Sequence, residues 1–251
     1  MRKIALITGG SRGLGGSIAL HLAGRGHDSI VTYHSRANDA EEVVDRIRAA
    51  GGEAAALRLD VTKPETFAEF ADSVRGMLLD TWGRESFDFL VNNAGMGLMR
   101  ELGRITKEDF DLMVDAHLRA PLFLSQALLP LIADGGRILN VSSGLARFTI
   151  PGYGAYAAVK GAVEVLTRYM AKELGPRRIA VNVLAPGAIE TDFGNGAVRD
   201  NEQLNAFVSE NTALGRAGLP DDIGGAAAAL LDDGSGWING QRIEASGGMF
   251  L

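Results

Sequence analysis

Cysteine is absent from the 251 residues of this sequence, and its absence excludes both disulfide bonds and thiol chemistry. The lack of cysteine fits a reducing compartment. The first predicted strand begins at Lys3, which leaves no room for a signal peptide ahead of it. These two features together predict a cytoplasmic protein.

The sequence also lacks an excess of basic residues and any long uninterrupted apolar run. Its 25 Lys and Arg residues are outnumbered by 31 Asp and Glu residues, which gives a net charge of −6, and the basic residues are scattered. This distribution predicts no nucleic-acid partner. The most apolar predicted helix, around 118–132, is interrupted by Arg119 and by two prolines, so we expect no membrane span.

Short aliphatic runs alternate with longer amphipathic segments, which predicts a parallel sheet covered by helices on both faces. Without a Pro- or Ser-rich linker, and with 46% hydrophobic residues, the chain is predicted to be a single α/β domain over 1–251. The segment 187–218 has no clean period, and irregular segments of this length are often functional lids. The predicted strands are 3–7, 28–33, 54–59, 87–91, 136–141, 179–184 and 240–244. The predicted helices are 13–25, 38–50, 64–80, 106–130, 153–175 and 220–231.

A glycine-rich turn, 8–15, joins the first strand to the first helix. Glycines let the backbone approach a pyrophosphate closely, and the start of the helix offers free N–H groups to the phosphates. The spacing T-G-x-x-x-G-x-G differs from the common dinucleotide-binding motif. By position alone, the turn predicts either a dinucleotide site or merely a tight strand-to-helix connection.

Tyr156 and Lys160 are four residues apart on a predicted helix, and Ser143 lies shortly upstream. Reduction of a carbonyl needs a proton donor beside the hydride donor. A free tyrosine titrates near ~10, so an acid/base role near neutral pH needs a shift of ~2–3 units. An ammonium at ~4 Å contributes on the order of 4 kcal/mol at an effective dielectric of ~20, which is about sufficient. The alternative interpretation is a surface aromatic residue beside a solvated charge.

Five ordered segments of the sequence resemble the classical short-chain dehydrogenase/reductase family over nearly the whole chain, including members that reduce 3-oxoacyl groups on a carrier protein. The C-terminal Gly240-Gln241 and Ser246-Gly247-Gly248 also resemble the end of that family. The five segments are 8–15, Asp60-Val61, Asn92-Asn93-Ala94-Gly95, Ser143 with Tyr156 and Lys160, and Pro186-Gly187 with Thr191.

The resemblance implies a doubly wound Rossmann-type fold with seven parallel strands. It implies that Tyr156 is the general acid/base, that Lys160 lowers the pKa of Tyr156 and binds the cofactor ribose, and that Ser143 holds the substrate oxygen. Asp60 and Val61 are implied at the adenine. The full set of implied cofactor-binding residues is Gly9, Ser11, Arg12, Gly13, Leu14, Gly15, Arg36, Asp60, Val61, Asn93, Ala94, Gly95, Tyr156, Lys160, Pro186, Gly187, Ile189 and Thr191.

The end of the second strand predicts NADP(H) as the cofactor. A carboxylate there would bind the ribose hydroxyls of NAD. Asp28, however, lies at the beginning of that strand, which is the wrong end. Arg12 in the glycine turn and Arg36 just past the strand could grip a 2′-phosphate. The alternative is that both arginines are solvated surface residues.

His117 departs from the family pattern, because alignment places it where an asparagine usually helps to hold a water beside the lysine. Histidine could hold that water, relay a proton itself, or mark a site that no longer turns over. An NADP(H)-binding regulator or scaffold without catalysis is therefore the alternative to an enzyme. His21, His27 and His34 have no spacing that suggests a metal site.

The predicted substrate is a small-molecule carbonyl compound, because the expected contacts at Met96, Phe148, Tyr153 and Phe193 are mostly apolar. A carrier-protein substrate is the second choice. Arg177 and Arg178 could dock such a carrier, but Asp134 is an acid where such reductases often have a base. The resemblance also implies a homotetramer built on the helices 106–130 and 153–175, although packing on the sheet explains much of their apolar content.

Overall fold

The computed structural model describes residues 2–251 and contains one seven-stranded sheet with helices on both faces. The strands are β1 Ile4–Ile7, β2 Asp28–Tyr33, β3 Ala54–Arg58, β4 Phe87–Asn92, β5 Ile132–Val141, β6 Ala180–Pro186 and β7 Arg242–Ala245. The helices are α1 Gly13–Gly24, α2 Ala37–Ala49, α3 Phe67–Trp82, α4 Lys107–Val114, α5 Ala120–Leu128, α6 Gly154–Glu173, α7 Ala197–Asp200, α8 Glu202–Glu210 and α9 Pro220–Leu231.

All seven strands are parallel, in the order β3-β2-β1-β4-β5-β6-β7. The chain winds from β1 outward to β3 and then returns to place β4 on the other side of β1. The strand order reverses at β1 and β4, and the crevice at the carboxyl ends of such strands is where ligands bind in this class of sheet. The predicted doubly wound Rossmann-type fold is confirmed.

Two apolar cores enclose the sheet, one on each face. The first packs α1, α2 and α9 on the sheet and includes Phe89 and Val91, whereas the second packs α3, α5 and α6 and includes Leu90. These three consecutive side chains are fully buried. Burial on both faces of the sheet therefore explains the apolar run in β4, as the sequence predicts.

The long helix predicted over 106–130 is interrupted. A π-helical turn at Asp115–Arg119 separates α4 from α5, and the Ala120 N–H bonds to the Asp115 carbonyl five residues earlier. Pro121 has no N–H to offer the carbonyl of His117, four residues before it, so a regular α-helix cannot continue here. The interruption turns the buried His117 toward the carboxyl edge of the sheet, where it contacts the segment after β4.

Several other boundaries differ from the sequence prediction by a few residues, and the larger differences are in β5 and in the segment 187–218. β5 begins at Ile132 rather than 136, with an irregular register opposite Phe87 and Phe89 of β4. The lid segment, residues 187–218, holds the two short helices α7 and α8, and the Asn201 side chain caps α8 by accepting a bond from the Leu204 N–H at 3.0 Å. Within residues 2–251, no helix has both the length and the apolar character needed to cross a membrane.

Candidate active site

The glycine-rich turn connects β1 to α1 at the point where the strand order reverses. Gly9 and Gly13 adopt φ values of +64° and +54°, a region that favours glycine. A Cβ at Gly15 would lie 2.6 Å from Asn93 Nδ2 and closer still to the Gly9 carbonyl oxygen. Glycine at this position therefore allows α1 to pack directly on the turn.

The beginning of α1 has the donors that a pyrophosphate requires. Arg12 is the N-cap residue and has an extended backbone, and no side chain of the described residues caps the helix. The first turn contains no acidic residue, and its sequence is Gly13-Leu14-Gly15. Free N–H groups and the positive end of a helix dipole suit phosphate oxygens. The geometry of Ser11 through Gly15 thus fits the phosphates of a dinucleotide.

The end of β4 is bonded to the glycine turn. Thr8 Oγ1 accepts bonds from the N–H groups of Asn93 and Ala94, both at 2.9 Å, and Asn93 Nδ2 donates to the Thr8 carbonyl at 2.8 Å. A second bond from Asn93 Nδ2 reaches the Gly9 carbonyl at 3.2 Å. The segment 93–95, predicted to line the cofactor cleft, therefore lies beside the turn.

Asp60 and Val61 follow β3 and lie near the end of β2. Burial opposes ionisation of Asp60, but bonds from the Thr62 N–H at 2.9 Å and the Thr62 hydroxyl at 2.7 Å outweigh it and lower its pKa. His34 Nε2 lies 3.5 Å from Asp60 Oδ2. Val61 packs against the second core. That Asp60 and Val61 bind the adenine stays a prediction from the family resemblance.

Arg12 and Arg36 are paired with carboxylates rather than free. Arg12 forms an ion pair with Asp192 of the lid segment, and Arg36 Nη1 lies 3.3 Å from Asp39 Oδ2. A hydrogen bond from Arg199 is the main cause that lowers the pKa of Asp192, and the charges of Arg12 and Arg36 add to it. Both arginines therefore lie near enough to Asp192 to affect its pKa, which puts them on the same side of the cleft.

Asp28, the acid at the start of β2, is a buried structural residue. Its carboxylate accepts bonds from Trp82 Nε1 at 3.1 Å and from the Glu53 N–H at 2.9 Å. Its position at the amino end of β2 explains why it cannot reach a ribose at the carboxyl end. No carboxylate occupies the last residues of β2, which read Thr32-Tyr33.

Residues 186–191 form the remaining wall of the cleft. Gly187 packs so closely on the chain after β7 that an added Cβ would lie 2.8 Å from Ser246 Cα. The Thr191 methyl group faces the glycine turn, 3.8 Å from the Cβ position of Gly13. Ile189 packs against the first core. Pro186, the last residue of β6, delivers this segment to the same edge of the sheet.

Ser143, Tyr156 and Lys160 come together at the carboxyl end of β5. Tyr156 and Lys160 lie one turn apart on α6 and are only 5% exposed each. Lys160 Nζ donates to the Val141 carbonyl at 2.7 Å and lies 5.6 Å from the centre of the Tyr156 ring. Ser143 Oγ accepts the Leu145 N–H at 3.2 Å, and the Ser143 side chain is near enough to the Tyr156 hydroxyl to lower its pKa.

The pKa values in this cluster differ from the expectation based on sequence. Burial raises the pKa of Tyr156 above its ordinary value, and the hydrogen bond from Ser143 only partly offsets the effect. Burial also lowers the pKa of Lys160 to about 7. Lys160 is not among the causes that shift the pKa of Tyr156 here, so the lowering of that pKa by Lys160 stays a prediction for the protein with cofactor bound.

His117 is buried and lies edge-on to Tyr156, with ring centres 5.2 Å apart. Its Nε2 lies 2.7 Å from the Met96 carbonyl oxygen, so this nitrogen carries the proton and donates. Burial, followed by the charge of Lys160, lowers the pKa of His117 well below its ordinary value. Its Nδ1 is buried without a hydrogen-bond partner among the described residues, and a Cβ at Gly95 would lie 2.9 Å from it.

The predicted substrate residues divide into two groups. The Phe193 ring lies 5.7 Å from the Tyr156 ring and covers Gly97, while Tyr153 packs in a small cluster with Tyr156. Met96 is partly exposed at the same wall.

Phe148 packs instead in a second cluster, 5.1 Å from Phe250. It remains near the site because a Cβ at Gly144 would lie 2.6 Å from its ring. Sequence reasoning missed Phe250, which is one residue from the C-terminus and has no local motif around it.

Known proteins resemble this chain both in sequence and in fold. The family profile described as Enoyl-(Acyl carrier protein) reductase matches residues 9–250. A solved short-chain dehydrogenase/reductase from Serratia marcescens is 31% identical, with a TM-score of 0.90, and the match covers 99% of this chain and 98% of that one. The chain belongs to the short-chain dehydrogenase/reductase family.

Two other members of the short-chain dehydrogenase/reductase family are more similar in sequence. The hydroxynaphthalene reductase-like protein Arp2 of Metarhizium brunneum is 37% identical over 258 residues, covering 98% of this chain and 94% of its own. The angucycline C-6 ketoreductase LanV, solved with bound NADP, is 36% identical to this chain with a TM-score of 0.94. The match covers 99% of this chain and 96% of LanV. This chain is an NADP-dependent oxidoreductase of the family, as the sequence predicts, and it transfers a hydride between the nicotinamide and a ketone or secondary alcohol.

Proposed function

We propose that this enzyme reduces apolar aromatic ketones, with Tyr156 as the proton donor and Ser143 as the hydrogen-bond donor to the substrate oxygen. The observation that carries the proposal is the buried Tyr156 hydroxyl beside Ser143, covered by the Phe193 ring. Similar proteins named for hydroxynaphthalene and angucycline reduction support a substrate with fused aromatic rings. Aromatic walls favour such rings through offset or edge-to-face packing.

The glycine turn, residues 93–95 and residues 186–191 would hold NADP(H), because their free N–H groups and close backbone approaches suit it. Arg12 and Arg36 are the proposed ligands of its 2′-phosphate. When bound, this cofactor supplies or accepts the hydride.

Tyr156 performs the proton step. As a carbonyl is reduced, negative charge develops on its oxygen, and the Ser143 hydroxyl stabilises that charge by donating a hydrogen bond. The Tyr156 hydroxyl then passes its proton to the nascent alkoxide, which is far more basic than a phenolate. The raised pKa of Tyr156 keeps the residue protonated near neutral pH. Tyr156 is therefore able to act as the proton donor in the reduction.

Lys160 and His117 both lie beside the Tyr156 ring. Lys160 has two further protons to donate besides its bond to Val141 when it is charged. Its pKa of about 7 makes it able to replenish a proton near neutral pH. His117 is neutral and holds the Met96 carbonyl, so its proposed part is to fix the wall beside Tyr156.

A free small molecule suits the site better than a carrier-linked substrate. Arg177, a candidate for docking a carrier, is bound to Asp134 at 2.7 Å and to the Leu129 carbonyl at 2.9 Å. Its guanidinium is therefore engaged within the fold rather than presented to a partner. The adjacent Arg178 alone makes a weak basic surface.

We also propose a cytoplasmic homotetramer. Several large apolar side chains on α4, α5 and α6 are partly exposed, and a surface cavity between α3 and α5 is mostly apolar. Exposed apolar patches of this kind are covered by self-association in many enzymes. The exposed side chains are Phe110, Leu112, Phe123, Val165 and Tyr169. Light scattering coupled to size exclusion would give the mass of a tetramer, and a monomeric mass would contradict the proposal.

The test of function is NADPH consumption against a panel of ketones, with Tyr156→Phe as the control protein. The panel includes fused bicyclic aromatic ketones, simple aliphatic ketones and acetoacetyl thioesters. We expect turnover that is fastest with the fused aromatic ketones and falls by at least ~10²-fold in Tyr156→Phe. Preference for the thioesters would overturn the substrate class. Tight NADPH binding without turnover on any ketone would favour the regulator alternative.

A further inference from the structure

Four charged side chains form one hydrogen-bonded network behind Ser143, which we call the Glu164–Arg242 network. Glu164 lies on α6 one turn beyond Lys160, and Arg242 and Glu244 lie on β7. Arg242 Nε donates to Glu164 Oε1 at 2.8 Å, and Arg242 Nη1 donates to Glu244 Oε2 at 2.9 Å. Arg147, the fourth member, follows the short turn after Ser143.

One end of the network holds the backbone and side chain of the serine pair at the end of β5. Ser142 Oγ donates to Glu164 Oε1 at 2.7 Å and lies 3.2 Å from the Lys160 carbonyl oxygen. Arg242 Nη2 donates to the Ser143 carbonyl at 3.3 Å. Because Glu164 and Arg242 are bonded to each other, these contacts hold Ser142 and Ser143 as a unit against α6.

The other end of the network holds the segment that bears Phe148. Arg147 donates from Nε and Nη2 to the two Glu244 carboxylate oxygens, both at 2.7 Å, and this is the paired geometry in which Arg is strongest. Arg147 Nη2 also donates to the Met249 carbonyl at 2.9 Å. The residue after Arg147 is Phe148, whose ring packs on Phe250. β7 therefore links the serine pair to the aromatic wall.

The charges of the network balance, with two guanidiniums and two carboxylates, and the side chains of Glu164, Arg242 and Glu244 are mostly buried. Hydrogen bonds from Arg147 lead the causes that lower the pKa of Glu244 to about 2. The pKa of Arg242 is raised by its two carboxylate partners, although burial opposes the increase. The lowered pKa of Glu244 and the raised pKa of Arg242 favour their charged forms, and the network acts through its hydrogen-bond geometry.

We infer that Arg242 is a positioning residue for the reaction, which orients Ser143 toward the Tyr156 hydroxyl and couples that orientation to the Phe148 wall. The inference rests on the proposed role of Ser143 in holding the substrate oxygen. A displacement of about 1 Å in a reacting group can lower a rate by ~10²-fold. Loss of Arg242 should therefore lower kcat more than it weakens binding of NADPH, because among the described residues the glycine turn, Arg12 and Arg36 make no hydrogen bond to the network.

The experiment compares Arg242→Ala, Arg242→Lys and Glu164→Gln with the wild-type protein on the best ketone of the panel. We expect Arg242→Ala to lower kcat by about 10- to 100-fold while the Kd for NADPH changes less than about threefold. Arg242→Lys, which keeps a cation able to bridge the carboxylates, should recover much of the rate. Glu164→Gln keeps the size of the side chain and an acceptor for Ser142, and should lower kcat by about 3- to 10-fold.

Arg177→Ala is the matched control, because Arg177 also bonds one carboxylate and backbone carbonyls but lies before the amino end of β6, whereas Ser143 follows the carboxyl end of β5. It should lower the Tm while leaving kcat unchanged. If Arg242→Ala and Glu164→Gln lower the Tm in the same way without lowering kcat, the network is structural and the inference is overturned. In that outcome the wild-type protein is still active, and the proposed function stands. If the wild type itself turns over no ketone, both the proposed function and the positioning role of Arg242 are overturned.

Discussion

His117 Nε2 and the carbonyl oxygen of Met96 lie 2.7 Å apart, and this bond joins the π-helical turn before α5 to the wall of the active site. The imidazole is neutral, so its N–H acts as a simple donor to the Met96 carbonyl. A carboxamide can donate in the same manner. Histidine or asparagine at position 117 can therefore donate this hydrogen bond to the Met96 carbonyl. The histidine is for that reason compatible with an active enzyme.

His117→Asn should accordingly keep kcat within about tenfold of the wild type, whereas His117→Leu should lose more. Leu leaves the Met96 carbonyl without its donor, and the net loss of one hydrogen bond costs about 0.5–1.5 kcal/mol. Steady-state kinetics and denaturant unfolding of both variants give the measurement. Equal loss of activity in the two variants would show that the imidazole has a chemical role that a donor alone cannot supply.

Arg12 and Arg36 should determine the choice of NADPH over NADH. Charge-assisted hydrogen bonds are worth about 1.5–3 kcal/mol each, so the double change Arg12→Ala with Arg36→Ala should weaken NADPH binding by ~10²-fold or more. NADH binding should change by only a few-fold. Titration of each cofactor by fluorescence measures both affinities, and an equal loss for both would refute the assignment.

Asp192→Asn provides the matched control for this prediction. Asp192 is the carboxylate that pairs with Arg12 across the cleft. Neutralising it leaves Arg12 without a competing acidic partner. NADPH binding should therefore be retained or strengthened in Asp192→Asn, while loss of affinity there would indicate that the ion pair itself organises the site.

The fold was largely predictable because its elements follow strong local patterns, whereas several boundaries depend on tertiary contacts. Apolar runs such as 89–91 and the glycine turn mark the strands and the first crossover without ambiguity. The π-helical turn around His117 is different, because Pro121 removes one bond but only packing against Met96 decides how the chain responds.

The candidate site was predictable where its residues are close in sequence. Tyr156 and Lys160 lie one helical turn apart, so their shared face follows from spacing alone. Arg242 and Glu164 are 78 positions apart, and no local signal connects them. The raised pKa of Tyr156 was also beyond sequence reasoning, because it depends on how completely the folded chain excludes water from α6.

Burial of Lys160 predicts a pH dependence of stability. Its pKa is about 7 in the folded protein and 10.5 in its ordinary state, so between these values the unfolded chain binds more protons than the folded one. Stability should therefore rise as the pH increases from 7 towards 10, by up to about 1.4 kcal/mol per unit for this one group. Tyr156 opposes this trend only above its ordinary pKa of 10.0.

Lys160→Met removes the titrating group while keeping an apolar chain of similar length. Denaturant unfolding at pH 7 and pH 9 in the absence of cofactor should show the wild type gaining about 1–3 kcal/mol relative to this variant. Parallel curves for the two proteins would mean that Lys160 remains charged in the folded state, with the buried site more hydrated than its contacts indicate.

The last prediction concerns Gly15, where the packing of α1 on the glycine turn leaves no room for a side chain. An added Cβ would lie 2.6 Å from Asn93 Nδ2 and closer still to the Gly9 carbonyl oxygen, and the latter is backbone that cannot move independently. Gly15→Ala should therefore lower the free energy of unfolding by about 1–3 kcal/mol, the usual cost of overpacking a core, and weaken NADPH binding as the turn shifts. Gly76→Ala in α3 is the matched control, because nothing lies within 4 Å of its Cβ position. There the gain in helix propensity should raise stability by about 1 kcal/mol. If both variants unfold at the same denaturant concentration as the wild type, α1 is not held against the turn at Gly15, and the close approach that shapes the phosphate site is absent in solution.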